Sequence, residues 1–404
     1  VSTAYKDTAI SYLGKIELSM LTGLLFVLPF NRLTTLKEVL FFLLIGSFAA
    51  VRLGDHKRIV RVSFPSKPLN ILILMSFVWA LFALISAVDR SYSFHEIATK
   101  LSKQYILYFL AFFVVRDIPA EKIKWLFLPL VFSAVIMSLS ACYQFYQDPR
   151  FFTNRVYGLT GAFYRLSTFL VLSVPLVIAL ALSFQGWIRG VFLILIPILF
   201  AALFFTFTRG AWIAVMVEIL ILAGIFMKKY KRLFMTLFIT IFLVIAGLAY
   251  KSVIPRQVIM HGSEKPRIEA FELSVEIIRN YPFTGIGYGK ETFSKYYPTA
   301  LVKHTHNIFL NTAVETGLIG LLIFAAILAV IIRRFFREIR DETALQRRLL
   351  ISGIFTSFIG FLSLNLFDYM YHGWPGQMVW ILIGMGYALM MGPSSGKETS
   401  LRQA

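Results

Sequence analysis

Twelve long apolar runs occupy most of the chain and leave little choice of architecture. They fall near 16–30, 36–53, 69–88, 101–115, 125–146, 166–184, 190–207, 211–227, 233–250, 307–332, 349–367 and 375–392. A helix needs about 20 apolar residues to cross the hydrocarbon core, and these runs are far longer than the strands of a membrane barrel. The first run is short and the fourth begins with polar residues, so ten or eleven crossings are the alternatives to twelve. The first run lacks a small-residue cleavage site and is followed at once by another, the pattern of a retained span. Of the residues, 58% are hydrophobic and only 15% charged, against about 45–50% and about 25% in soluble domains. That excludes an ordinary cytosolic enzyme, a disordered chain and a secreted disulfide scaffold. The one cysteine, Cys142, permits neither an internal disulfide nor a cysteine-based metal cluster.

The charge pattern orients the spans. Net charge is +19, from 40 Lys+Arg against 21 Asp+Glu. On so apolar a chain this reads as loops beside anionic headgroups or a phosphorylated lipid substrate, not as a nucleic-acid surface. With the N-terminus in the cytoplasm, the inside segments hold 23 Lys and Arg and the outside segments 17, of which 8 lie in one long loop. Long loops translocate with less regard to charge, so the rule that positive charge stays inside is obeyed. The expected fold is an all-α integral membrane protein of about 12 transmembrane helices. Residues 1–404 form a single membrane domain, with one large outer loop, 251–306, between the ninth and tenth spans. No internal repeat of 20–50 residues interrupts this plan.

Four segments on the outer side carry chemistry. In the long loop, Ser263-Glu264-Lys265-Pro266 reads as a helix start. Ile268, Phe271, Val275 and Ile278 then form one apolar stripe, with Arg267 in the first turn and an end near Arg279-Asn280, because Pro282 disfavours helix at Tyr281. Such a helix either lies on the bilayer surface or faces a substrate. The alternating Gly285, Gly287 and Gly289 make a tight turn or a close backbone approach to a ligand. They do not make a dinucleotide fingerprint. His304 and His306 precede the tenth span. A metal site there would need further ligands, and Glu291 and Glu315 stand at no recognised spacing, so no metal is expected. Arg209, between two nearly contiguous spans, sits at or below the outer interface, where burying it costs about 2.5–3.5 kcal/mol. It either faces the protein interior toward an anion or snorkels. Arg150, Arg155 and Arg165 add positive charge on the same side.

These residues together resemble the O-antigen ligase and O-antigen polymerase superfamily. The resemblance rests on Thr208-Arg209-Gly210, Arg267 with Glu269-Ala270, Asn280-Tyr281-Pro282 with Gly285-Ile286-Gly287, and His306-Asn307 followed by Glu315-Thr316-Gly317-Leu318-Ile319-Gly320. It covers about residues 200–330 by motif and the whole chain by topology. The family implies a fold resembling the C-type glycosyltransferases, in the bacterial inner membrane, with the large loop in the periplasm. Its ligases move a polysaccharide from undecaprenyl diphosphate to a sugar hydroxyl of lipid A-core, without a metal, cofactor or nucleotide sugar. The implied partners are that lipid-linked donor, the lipid A-core acceptor and membrane lipid, with no nucleic acid. The family's essential positions carry over to Arg209, Arg267 and His306. Its less constant upstream arginine matches Arg155 best, with Arg165 second. His304, Asn307, Tyr281 and Gly287 are expected to bind substrate. Polymerases and protein O-oligosaccharyltransferases share the pattern. The last often carry extra C-terminal sequence, which favours a ligase here.

The residue types suit that reaction on their own terms. A departing diphosphate gains negative charge, and the seven aspartates include no pair at two-residue spacing to hold a divalent ion. Arginine forks match phosphate oxygens and tighten as charge develops. A histidine suits the task of deprotonating an acceptor hydroxyl, with His306 first and His304 in reserve. Nearby arginines favour its neutral form. Direct attack predicts inversion at the anomeric carbon. Glu315 and Asp368 are the carboxylates available to orient the histidine. The reading from another class is a lipid-linked oligosaccharide transporter, for which Glu218 is the main intramembrane charge.

Overall fold

The structure is a computed structural model, and it describes residues 2–54, 64–147, 155–250, 264–300 and 303–391. Ser263, Arg150 and most of the start of the long loop lie outside the described residues. Helices run Ser2–Val27 (α1), Thr34–Gly54 (α2), Lys67–Phe82 (α3), Arg90–Glu96 (α4), Ser102–Val115 (α5), Ala120–Leu126 (α6), Leu128–Gln147 (α7), Phe163–Ser183 (α8), Gly186–Phe205 (α9), Arg209–Tyr250 (α10), Glu264–Asn280 (α11), Thr292–Tyr296 (α12), Ile308–Asp341 (α13), Leu345–Leu364 (α14) and Trp374–Met391 (α15). There is no strand among the described residues.

Eight helices among the described residues are long and apolar enough to cross a membrane, which makes this a multi-pass membrane protein. All twelve apolar runs fall on helices, but four do not meet that standard as separate spans. The fourth run is the short α5, continuous through a π-turn at Ile97–Leu101 with α4. The eighth and ninth runs are two helices joined across a kink at Tyr230 (φ −123°, ψ 32°), together labelled α10.

Burial is arranged for lipid. The central α8 is buried on nearly every side, whereas α2, α3, α7 and α9 expose Phe42, Leu74, Phe132 and Ile194. An apolar perimeter around a buried apolar helix is stable only in hydrocarbon. Helices α14 and α15 pack on α8 and α5 respectively.

Loops gather at the two ends of the bundle as the alternation of spans predicts. At one end the Asn31 amide donates to Leu159 O at 3.1 Å, Val88 to Ile286 O at 3.0 Å, Val156 to Phe205 O at 3.4 Å and Ile308 to Asn365 O at 2.8 Å. At the other, Lys124 stands over the Phe184 ring at 4.6 Å and Arg348 over Phe226 at 5.7 Å.

A broken helix joins the long loop to the bundle. Gly317, inside α13, has φ 70° and ψ −177°, a conformation that glycine adopts and other residues rarely do. The break takes three carbonyls out of the helical ladder, and each finds another donor. The Ile286 amide reaches Val314 O at 2.9 Å and the Gly287 amide reaches Glu315 O at 3.1 Å. Trp79 Nε1 reaches Thr316 O at 2.8 Å. The freed Leu318 amide donates to Pro282 O at 2.7 Å. A side chain at Gly285 would strike the Val314 carbonyl. The glycine-rich segment is thus backbone docked on backbone. A small separate core of Ala270, Ile277, Ile286, Phe293 and Val314 closes the joint.

Candidate functional site

The site begins with how α13 starts. Asn307 caps the helix, its Oδ1 accepting from Phe309 N at 2.9 Å and Leu310 N at 3.0 Å, while its Nδ2 donates to Leu366 O at 3.2 Å. That bond draws the 365–373 turn against the His304–Asn307 segment. Thr305 is buried and donates to Asn307 O at 3.0 Å. Alternate residues of the segment are thereby free to face Asp368.

His304 Nε2 and His306 Nδ1 each lie 3.5 Å from Asp368 Oδ1, and the two rings are 4.1 Å apart between centroids. Both contacts are long for hydrogen bonds, so the pair is oriented but not locked. Neither ring nitrogen of His304 has a hydrogen-bond partner among the described residues. Burial pushes the His304 imidazole below its ordinary value and the His306 charge adds to this, against the pull of Asp368. Burial works to raise the Asp368 carboxyl, but the two histidines and the Tyr369 amide outweigh it and hold the group well below the usual carboxylate range. Asp368 is therefore a carboxylate beside a histidine pair in which His304 favours the neutral form.

Backbone strain marks the same place. Among the described residues only Phe207 and His306 combine a side chain with positive φ, at 50° and 54°. Such conformations cost on the order of 1–3 kcal/mol and cluster at functional sites. One belongs to His306 itself and the other lies two residues before Arg209.

An open cleft of about 500 Å³ runs away from His306. Arg267, His306 and Asn307 line it together with Phe271, Ile278, Phe309, Leu310, Ala313, Leu318 and Leu321 of α11 and α13. The apolar stripe of α11 is only partly as expected. The helix buries Ala270, Ser274 and Ile277, leaves Ile268 and Phe271 exposed, and gives Phe271 and Ile278 to the cleft. Small residues let the two helices approach closely, which is why the larger stripe faces outward.

The remaining residues divide. Arg209 opens α10, and the following Gly210 packs against Phe367, next to Asp368 and itself a cleft residue. Arg155 stands 4.5 Å over the Phe163 ring, its guanidinium lowered from the ordinary value by partial burial first and by the Arg209 charge second. Arg165 donates to Asn31 Oδ1 at 2.7 Å. Tyr281 packs on the small core, edge-on to Tyr296, and Gly287 is buried against Ala87 and Ser93. Neither Tyr281 nor Gly287 lines the cleft. They hold the loop in place.

Sequence reasoning left the choice between Glu315 and Asp368 open, and the structure separates them. Glu315 pairs with His372 at 2.9 Å and accepts from the Tyr369 hydroxyl at 3.3 Å. His372 was not singled out in the sequence. Its only signal there is a lone histidine in an aromatic turn before the last helix. Lys290, which faces Asp368, was also missed, although it directly follows the glycine-rich turn. Glu218 is buried with neither carboxylate oxygen hydrogen-bonded among the described residues.

His304, His306 and Asp368 also offer three ligand atoms within 4.8 Å of one another, a geometry that could hold a metal ion. The third ligand that sequence spacing lacked is supplied by the 365–373 turn.

The model of the family described as O-antigen ligase matches residues 192–325. This segment, about a third of the chain, is similar to the O-antigen ligase family. The matched segment contains Arg209, Arg267, His304, His306 and the Gly317 break, while Arg155, Arg165 and Asp368 lie outside it. Among curated proteins no match to the chain was found.

Proposed function

We propose that this chain is an inverting, metal-independent glycosyltransferase of twelve spans in the bacterial inner membrane, with its site on the periplasmic face. It transfers O-antigen polysaccharide from undecaprenyl diphosphate to a sugar hydroxyl of lipid A-core. The observation that carries this reading is the cleft in which Arg267 and His306 share a largely apolar lining. That combination suits an anionic headgroup on a long hydrocarbon chain.

His306 Nδ1 faces Asp368, which leaves Nε2 to accept a proton. The acceptor hydroxyl gives its proton to Nε2 as its oxygen bonds to the anomeric carbon. The bond from that carbon to the diphosphate oxygen breaks, and its electron pair leaves with the diphosphate. Arg209 and Arg267 meet the growing charge, with Arg155 beside Arg209. Asp368 fixes the imidazole tautomer and favours the imidazolium that forms.

Reconstituted protein tests the assignment with undecaprenyl-diphosphate glycan and rough lipopolysaccharide. Arg209→Lys and Arg267→Lys should each lower kcat about 10²-fold or more, the scale of losing one transition-state donor, because an ammonium cannot make the two-pronged contact. His306→Asn tolerates the left-handed backbone but cannot take the proton, and it should abolish transfer. Full transfer by that variant would remove His306 as the base. Activity should persist in chelator. A chelator loss restored by a divalent ion would instead assign the His304–His306–Asp368 geometry to a metal. Elongation of the donor without rough lipopolysaccharide would identify a polymerase.

A further inference from the structure

Three cations beside the histidine pair have no part in that scheme. Lys37, in the first turn of α2, is only 9% exposed. Its ammonium has no hydrogen bond or ion pair among the described residues. The adjacent Glu38 is already taken, since Lys103 donates to both its oxygens at 2.7 Å. Arg165, in the first turn of α8, bonds the neutral amide oxygen of Asn31, which leaves its charge uncompensated. Lys290 lies 5.9 Å over the Tyr164 ring and likewise has no hydrogen bond among the described residues.

Arg165 links the other two: its bond to Asn31 ties the start of α8 to the turn before α2, and Lys290 stands over the ring of the preceding Tyr164. The Arg165 charge reaches both lysines, and burial, then that charge, lower Lys290 from its ordinary value. The acidic groups facing Lys290 are Asp368 and Glu291, and Asp368 is committed to the histidines. Lys290 also acts on His304, so this member of the cluster is the one nearest the reacting centre. None of the three lines the apolar cleft. Two helices and the glycine-rich loop thus bring three cations together, none of them ion-paired among the described residues. Like charges gathered together repel, and a multi-oxygen anion would relieve this with charge-assisted bonds.

We infer that Lys37, Arg165 and Lys290 form a second anion site, which takes a phosphate monoester carried by the acceptor glycolipid and so presents the acceptor hydroxyl to His306. This deepens the transferase reading and rests on it. The donor's diphosphate has its own arginines, so the two substrates are gripped by separate sets of cations.

The experiment compares phosphorylated and phosphatase-treated core glycolipid as acceptors in reconstituted wild type, Lys37→Gln and Lys290→Gln. Each substitution should raise KM for the phosphorylated acceptor about tenfold or more, the scale of one charged hydrogen bond. KM for the lipid-linked donor should not move. Wild type should use the dephosphorylated acceptor with the raised KM that the variants show on the phosphorylated one. A rise in donor KM would assign the cluster to the diphosphate and overturn the inference. Equal losses on both acceptors would make the lysines structural and also overturn it. Direct binding of the two glycolipids to detergent-solubilised wild type needs no variant. Tighter binding of the phosphorylated form is expected, and equal binding, or displacement by phosphatidylglycerol, overturns the site. If wild type binds the phosphorylated form selectively but transfers nothing, the transferase reading fails while the anion site stands.

Discussion

Asp368 shows what a single residue does here. It lies 3.5 Å from two imidazoles and accepts from one backbone amide, so its charge is available to stabilise a protonated ring. Replacing it with Asn removes the anion that opposes the lowering of His304. An imidazolium in the pair then becomes less stable, and its proton is lost at lower pH. Asp368→Asn should therefore move the acid limb of the kcat–pH profile downward while lowering kcat, as read from transfer rates between pH 5 and 8. An unmoved limb would detach Asp368 from the histidines. Residue type and order were enough to single out Arg267 and His306, which the structure brings to one cleft. The partner of His306 was not legible in the same way. Asp368 lies 62 positions downstream, and only folding decides whether it or Glu315 faces the ring. Lys37 was hidden for another reason: one lysine in an apolar run reads as an interfacial charge.

At the scale of elements, the broken α13 governs the site. His306 and Asn307 lie just before the helix, and the glycine-rich segment is bonded across its break. Gly317→Ala places a Cβ against the Phe283 carbonyl in a backbone region closed to alanine. It should destabilise the protein by about 1–3 kcal/mol, the usual penalty for such strain, and lower the melting temperature in detergent along with transfer. An unchanged melting temperature would mean that the break is not needed. The apolar periodicity of 307–332 continues through Gly317, so the sequence predicts one unbroken span. Hydrophobic spacing reports which face is buried, not whether the hydrogen-bond ladder runs on beneath it. The end of α11 at Asn280, by contrast, follows from Pro282 and was legible.

For the whole molecule, the distribution of lysine and arginine and the contacts between loops point to the same two-ended arrangement. Topology is tested by cysteine labelling in a Cys142→Ser background. Arg90→Cys and Leu159→Cys should react with an impermeant maleimide from outside intact spheroplasts. Arg189→Cys and Arg340→Cys should react only after lysis. Labelling of all four before lysis would reverse the expected orientation or break its alternation. The class of fold was open to sequence reasoning because bilayer thickness dictates run length. The number of separate crossings was harder, because a basic stretch such as Lys228–Arg232 serves as a loop or as a kink between helices, and α10 kinks there, at Tyr230.

The seam between Pro282–Gly287 and the interrupted α13 is written almost wholly in main-chain atoms. Such a fastening is indifferent to most side chains, provided its few glycines stay. Exposed positions along it, Phe283 above all, are then free to drift or be rewritten while the loop keeps its register. A chain built this way can change what it recognises on its outer surface without resetting the hardware beneath.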